Sequence, residues 1–103
     1  MIYPATDQYI DLAINTLENG EVIVYPTDTL YGFGVDATNT EAIQRLNRLK
    51  GKVKPLSIVL ESVDHMHDFA EFDVKIKSEI NKLFPGSYTV LLPSKKSDLS
   101  SLV

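Results

Sequence analysis

Apolar residues recur at helical spacing in three parts of the chain. These are residues 6–20, 39–51 and 73–84, and each predicts an amphipathic helix of ten or more residues. The residues predicted to face inward are Ile10, Ala13, Ile14 and Leu17 in the first helix, Ala42, Ile43, Leu46 and Leu49 in the second, and Val74, Ile76, Ile80 and Leu83 in the third. Capping preferences set the ends, which are Thr6 or Asp7 and Gly20 for the first helix, and Asn39 or Thr40 and Gly51 for the second.

Short continuous apolar runs separate these helices and predict three strands. The runs are "EVIVYP" at residues 21–26, "PLSIVLE" at 55–61 and "SYTVLLP" at 87–93. The stretch "PTDTLYGFGVDATN" after the first run is predicted to be a loop, and "SVDHMHDFAEF" a short helix and a turn. Alternating helices and strands indicate an α/β domain with a sheet covered by helices. Because three strands leave long unpaired edges, we expect this domain to be part of something larger.

Composition narrows the classes of function. The 103 residues suffice for one small domain, and the absence of cysteine excludes disulfides, thiolate metal sites and cysteine nucleophiles. Neither a signal peptide nor a membrane-spanning apolar run is evident, so a cytoplasmic protein without a membrane partner is expected.

The charge is unevenly distributed along the chain. A net charge of −4 argues against a general nucleic-acid binder, yet five of the ten Lys and Arg residues lie between positions 45 and 54. Such a patch suits a small anionic ligand. Alternatively, it is a solvated helix end, where cations favour the negative pole of the helix dipole.

The segment "PTDTLYG" at residues 26–32 concentrates groups that recognise small polar ligands. Thr27 and Thr29 offer hydroxyls, Asp28 accepts hydrogen bonds, Tyr31 supplies a flat wall, and Gly32 permits close backbone approach. The alternative is a polar turn in which these side chains satisfy their own backbone.

Other motifs are weaker. "GFGVDA" fits G-x-G-x-x-A, but six residues separate its first glycine from the strand, which argues against a dinucleotide fingerprint. His65 and His67 lie two residues apart without a recognised ligand spacing, so surface histidines are expected rather than a metal site.

Four segments in this order resemble the N-terminal half of the YrdC-like threonylcarbamoyl-AMP synthases. They are "YPTDTLYGFGVDATN", "AIQRLNRLKGK", "KPLSIVL" and "FPGSYTVLL", and the similarity runs from residue 21 to residue 93. The resemblance implies an α/β fold with a twisted mixed sheet, flanking helices and a concave, positively charged cavity. Residues 1–103 would then be a single YrdC-like domain, N-terminal half only, and incomplete at the C-terminus.

The resemblance also implies site residues. The threonine substrate would be bound by Thr27, Thr29 and Tyr31. The nucleotide would be bound by Lys50, Lys52, Lys54, Ser57 and Thr89. Lys52 stands where the family's Lys-x-Arg motif has arginine, so the charge is kept while the planar, two-pronged contact to phosphate is lost.

The implied activity is that of a nucleotidyltransferase. It would combine L-threonine, bicarbonate and ATP, with Mg²⁺ on the phosphates, into threonylcarbamoyl-AMP and pyrophosphate. Catalysis would rest on positioning and charge stabilisation, without a protein nucleophile or protein metal ligands. A separate transferase would then pass the group to tRNA. We expect little activity from this chain alone, since the family's second half completes the cavity. The alternative is a non-catalytic RNA-binding or interaction module of the same fold.

Overall fold

The computed structural model describes residues 2–4, 6–27, 30–51 and 56–103. In chain order, the elements are a 3-10 turn at Asp7–Tyr9, α1 at Ile10–Glu18, β1 at Ile23–Pro26, β2 at Tyr31–Gly34, α2 at Thr40–Lys50, a 3-10 helix at Asp64–Asp68 and α3 at Val74–Leu83. The chain is therefore a mixed α/β protein, as the apolar pattern predicted. Within the described residues, no helix combines the length and hydrophobicity needed to cross a membrane.

β1 and β2 form an antiparallel hairpin, which corrects the prediction that residues 31–34 belong to a loop. Val24 pairs with Phe33, and Pro26 pairs with Tyr31. The turn is closed by Thr27, whose backbone N–H donates to the carbonyl of Leu30 at 3.1 Å. The Leu30 N–H in turn donates to Thr27 Oγ1 at 3.1 Å, and the Thr27 hydroxyl donates to the Leu30 carbonyl. Thr27 thus hydrogen-bonds across to Leu30 next to β2, while Gly32 and Gly34, which suggested a loop, lie within β2.

Two predicted strands do not form as ladders within the part of the chain described. Residues 56–60 and 87–93 are neither helix nor strand, and the sheet has the two strands β1 and β2. An isolated antiparallel bridge joins Ala70 to Ser94. Flanking bonds support it, since the Glu71 N–H donates to Pro93 at 2.9 Å and the Lys95 N–H donates to Phe69 at 3.0 Å. An apolar run becomes a strand only where a neighbouring strand continues the hydrogen-bond ladder, and the pairing at Pro93 and Ser94 does not extend into a ladder among the described residues.

α1 begins through a 3-10 turn rather than a side-chain cap. Thr6 makes no capping hydrogen bond with its side chain, although its carbonyl accepts from the Tyr9 N–H at 3.0 Å. Gly20 follows the helix with a φ of 76°, a conformation that favours glycine. The predicted inward face is only partly covered, because Ile10 and Ile14 are about half exposed.

α2 is the best-buried element, and both of its predicted ends are confirmed. The Asn39 side chain accepts from the Ala42 N–H at 3.1 Å, and Gly51 ends the helix in the left-handed conformation. Ala42, Ile43 and Leu46 are buried as predicted, whereas Leu49 is 60% exposed.

α3 contributes one residue to the core. Asp73 caps it by accepting from the Ile76 N–H at 2.9 Å. Ile80 is buried, while Val74, which was predicted to face inward, is 83% exposed. In the described residues, the fully buried apolar side chains are Ala42, Ile43, Leu46 and Ile80.

The C-terminal segment returns to the start of α2. The Ser100 N–H donates to the Ala37 carbonyl at 2.9 Å, and the hydroxyls of Ser100 and Thr40 lie 2.7 Å apart. Ser100 is buried by this contact. A tail with no regular secondary structure is thus held against the N-terminal end of α2.

A candidate nucleotide-binding cavity

A cavity of about 440 Å³ lies between the hairpin, α2 and residues 56–59. Most of its wall is apolar, and Tyr25, Phe33, Ile43 and Leu46 contribute to it. This volume falls within the range of small-molecule sites, roughly 300–1,000 Å³. An apolar wall with few polar groups is typical of such sites, because apolar contact supplies affinity and the polar groups set orientation.

Glycines on β2 allow the ring of Tyr25 to lie flat against the hairpin. A Cβ atom at Gly34 would approach Cε1 of Tyr25 to 2.8 Å, closer than real Cβ contacts. Gly32 leaves more room, since its nearest neighbour would be Cγ2 of Thr27 at 3.7 Å. The "GFG" sequence therefore serves strand packing here. It does not open a helix, which removes the structural context that a dinucleotide fingerprint requires.

Among the described residues, Lys50 and Ser57 are the predicted nucleotide-binding residues that line the cavity. Lys50 stands in the last turn of α2, Ser57 lies in the segment that follows, and both line the cavity. Both are solvent-exposed. The positive charge of Lys50 is also favourable at the C-terminal end of α2, which is the negative end of the helix dipole. Lys50 therefore stands both at a helix end and at the cavity.

Other predicted site residues lie elsewhere. Thr27, Tyr31 and Thr89 are not among the described residues that line the cavity. Thr27 uses its hydroxyl to close the hairpin turn, which agrees with the alternative of a polar turn. Tyr31 is 76% exposed at the start of β2, and Thr89 is exposed as well.

Three further predicted residues, Thr29, Lys52 and Lys54, lie outside the described residues, as does Asp28. Their assignments to threonine and nucleotide stay predictions. Sequence reasoning missed Tyr25 and Phe33, which both line the cavity. The sequence pattern could have indicated Tyr25. Side chains alternate between the two faces of a strand, and Tyr25 lies between the exposed residues Val24 and Pro26, so it belongs to the more buried face of β1.

The two histidines pack against aromatic rings. The His65 ring meets Phe69 edge-on at 5.2 Å between centroids, and the His67 ring stacks on Phe72 at 4.2 Å. Nε2 of His65 lies 3.6 Å from a carboxylate oxygen of Asp68. Both histidines are half-buried rather than freely exposed. Across the described residues, no three His, Asp or Glu side chains come together as a metal site.

A cross-element ion pair fixes the 3-10 helix to α3. Nζ of Lys77 lies 2.5 Å from Oδ1 of Asp64. The hydrogen bond from Lys77, and then its positive charge, lower the pKa of Asp64 below the ordinary value of 3.8. This pair lies outside the cavity lining, so it belongs to the scaffold.

Comparison with known proteins gives a consistent result. The sequence profile of the Sua5/YciO/YrdC family, described as "Telomere recombination", matches residues 15–103. The chain is 32% identical over 100 residues to a threonylcarbamoyl-AMP synthase of Bacillus subtilis, covering 94% of this chain and 29% of the relative. It is 35% identical over 89 residues to a threonylcarbamoyl-AMP synthase of Methylococcus capsulatus, covering 82% of this chain and 47% of the relative.

A third relative is similar over a shorter part of the chain. A putative threonylcarbamoyl-AMP synthase of Methanocaldococcus jannaschii is 33% identical over 79 residues, covering 75% of this chain and 38% of the relative. No solved structure shows a significant match. The chain thus spans about half the length of the curated relatives it matches, or less. Since the family profile covers all but the first 14 residues, this chain belongs to the Sua5/YciO/YrdC family.

Proposed function

We propose that this chain forms the nucleotide-binding part of a threonylcarbamoyl-AMP synthase. The observation that carries the proposal is that Lys50 and Ser57 both line a cavity to which Tyr25 and Phe33 also contribute. Aromatic and aliphatic walls suit the flat, weakly polar adenine ring. A lysine ammonium at the edge suits a phosphate, to which it acts as a point charge.

The proposed reaction is the one that the resemblance to the YrdC-like threonylcarbamoyl-AMP synthases implies. The amine of L-threonine takes up carbon from bicarbonate to give a carbamate, with loss of water. A carbamate oxygen then attacks the α-phosphorus of ATP, and pyrophosphate leaves with the electron pair of the broken P–O bond. The substrate would be the Mg²⁺ complex of ATP, because Mg²⁺ is commonly held by substrate phosphates and water.

Lys50 would stabilise negative charge on the phosphate oxygens as pyrophosphate departs. Lys52 and Lys54 would add to that charge, and Thr29 and Tyr31 would orient the threonine. The product is a reactive mixed anhydride of a carbamate and a phosphate. It therefore suits transfer to an acceptor by a second enzyme, and the resemblance to the YrdC-like synthases implies that the acceptor is an adenosine of tRNA.

The first experiment measures ATP binding directly. Mg²⁺–ATP should raise the melting temperature of the chain, because a ligand that binds only the folded state stabilises it. Lys50→Ala should weaken ATP affinity by about tenfold, the loss expected for a charge-assisted hydrogen bond at an exposed site. The matched control is Lys75→Ala, which removes an exposed lysine on α3. ATP affinity should stay unchanged in that variant.

The second experiment measures turnover. Pyrophosphate release is followed with and without L-threonine and bicarbonate, on the chain alone and on a version extended to the length of the relatives. We expect substrate-dependent release in the extended version, and little from the chain alone. Absence of ATP binding in both forms would refute the proposal and favour a non-catalytic interaction module.

A further inference from the structure

Asn19 and Gly20 form the one asparagine–glycine pair in the sequence. This pair favours spontaneous deamidation, because glycine has no side chain to hinder attack of its backbone nitrogen on the preceding side-chain amide. Asn19 is exposed to solvent. Asn15, in the same helix, is exposed as well, but it precedes the β-branched Thr16, which hinders the same attack. Asn19 is therefore the asparagine expected to react first when the backbone is free to move.

The fold holds this pair in a Schellman motif at the C-terminal end of α1. The Glu21 N–H donates to the Thr16 carbonyl at 3.1 Å, and the Gly20 N–H donates to the Leu17 carbonyl at 3.0 Å. Gly20 is buried and has a left-handed φ of 76°. The nitrogen that would attack the amide therefore belongs to a buried residue and is already engaged in a hydrogen bond.

A second contact fixes the carbonyl side of Gly20. A guanidinium nitrogen of Arg45, on α2, donates to the Gly20 carbonyl at 2.6 Å. The Asn39 side-chain amide lies next to the glycine, because a Cβ atom at Gly20 would come within 3.0 Å of the Asn39 amide nitrogen. The Arg45 contact runs from α2 to the turn that follows α1, so it ties the two helices together at this point.

Deamidation requires a change of this conformation. The Gly20 nitrogen must bond to Cγ of Asn19 and close a five-membered ring, which brings this nitrogen to the side of the Asn19 Cβ atom. Asn19 has a ψ of 4°, so the Gly20 nitrogen instead eclipses the backbone nitrogen of Asn19. The rotation of ψ that closes the ring carries the Gly20 N–H away from the Leu17 carbonyl. The folded conformation therefore opposes the reaction that the sequence favours.

We propose that Asn19 is a latent deamidation site, which the Schellman motif and Arg45 keep closed and which opens when the end of α1 frays. In the reaction, the Gly20 nitrogen loses its proton, attacks Cγ of Asn19 and expels the side-chain nitrogen as ammonia. Water then opens the resulting succinimide at one of its two carbonyl groups, which leaves aspartate or isoaspartate at position 19. Either product adds a negative charge at the negative end of the α1 dipole, where it is unfavourable.

The modification would change the joint between α1 and α2. Isoaspartate adds a methylene group to the backbone, so the two Schellman hydrogen bonds and the Arg45 contact cannot all form again. Leu17, whose carbonyl belongs to the motif, also lines the cavity. Deamidation at Asn19 should therefore loosen α1 and disturb one wall of the cavity. The reaction itself needs water and no bound substrate, so it is independent of the proposed enzymatic activity.

Peptide mapping by mass spectrometry measures the reaction. The chain is incubated at mildly alkaline pH, either folded or unfolded in guanidinium chloride. The fragment containing position 19 is then compared with synthetic standards that carry asparagine, aspartate or isoaspartate there. We expect deamidation to be at least about tenfold slower in the folded chain, because that chain reacts only while the end of α1 is open. Asn15 should react more slowly than Asn19 in the unfolded chain.

Arg45→Met tests the contact between the helices. It removes the guanidinium group and keeps an unbranched apolar side chain. Deamidation at Asn19 in the folded chain should become about tenfold faster, the change expected for loss of a hydrogen bond from a charged group. Arg48→Met is the matched control, since it removes an exposed arginine from the same helix and should leave the rate unchanged. Low denaturant concentrations should not change the Arg45→Met rate, because local opening exposes little surface.

Three results would overturn the proposal. The first is deamidation at Asn19 that is as fast in the folded chain as in the unfolded one. The second is an equal rate in the folded Arg45→Met and Arg48→Met variants. The third is an Arg45→Met rate that rises steeply at low denaturant concentrations, which would assign the reaction to global unfolding. Failure of ATP binding would change none of these measurements, so this test and that of the proposed function are separable.

Discussion

Replacing Ile43 by alanine tests whether α2 is the centre of the core. Ile43 is fully buried, with no exposed surface. The substitution removes three carbon groups from the core, at about 0.8 kcal/mol each in lost burial. Alanine returns about 0.4 kcal/mol through its higher helix propensity. Since Ile43 already borders the cavity, the change enlarges an existing opening instead of creating a closed void, and the extra cavity cost is small.

The expected net effect is a loss of about 2 kcal/mol in the free energy of unfolding. Urea unfolding followed by circular dichroism measures it. With a slope of about 1 kcal/mol per molar urea for a chain of this size, the midpoint should fall by about 2 M. If the midpoint of the wild-type chain is below about 2 M urea, the Ile43→Ala variant should be unfolded without any urea.

Leu49→Ala in the same helix is the matched control. It removes the same number of carbon groups from a side chain that is 60% exposed. We expect its free energy of unfolding to fall by less than about 1 kcal/mol. Equal losses at Ile43 and Leu49, or an Ile43→Ala midpoint within about 0.5 M of the wild-type value, would refute the assignment of the core to this face of α2.

Two further changes test the hairpin and the ion pair. Gly34→Ala would place a Cβ atom 2.8 Å from the Tyr25 ring, so unfolding by urea should show a loss of about 1–3 kcal/mol. Lys77→Met should return the pKa of Asp64 to near 3.8, as followed by carboxyl NMR during acid titration. Because the folded-state pKa of Asp64 is depressed, the stabilisation from this pair is present above pH 3.8 and is lost as the pH falls through the folded value.

Each of these changes has a neighbouring control. Gly32→Ala brings its Cβ no closer than 3.7 Å to another side chain, so stability should change by less than about 1 kcal/mol. Lys82→Met removes a lysine paired with Glu79 and should leave the Asp64 titration unchanged. A Gly34→Ala chain as stable as Gly32→Ala would contradict the close packing of the Tyr25 ring. An unaltered Asp64 pKa in Lys77→Met would contradict the ion pair.

Local signals in the sequence predicted the helices well. Asn39 and Gly51 bound α2 as expected, since capping depends on residues within one turn of each other. The same reasoning failed for Thr6, where a 3-10 turn precedes α1 and the side chain makes no capping bond. Capping preference states which residue is able to cap, and the neighbouring backbone conformation decides whether it does.

Strands were predicted less well, because a strand depends on a partner that is distant in sequence. The run "EVIVYP" is β1, yet residues 56–60 and 87–93 form no ladder among the described residues. Conversely, "YGFG" looked like a loop and forms β2 because it pairs with β1. Three strands were predicted from the apolar pattern, and the described chain has a two-stranded antiparallel sheet.

For the candidate site too, local sequence features were predictable and long-range contacts were not. Order and composition of the motifs were enough to indicate the family, whereas the assignment of Lys50 and Ser57 to the nucleotide stays a prediction. Only the tertiary structure shows that these two residues line one cavity, that Tyr25 and Phe33 contribute to its wall, and that the Thr27 hydroxyl bonds to the backbone of Leu30. Side-chain type is a local property of the chain. Burial, pairing and convergence are properties of contacts between distant segments, and only the folded molecule specifies them.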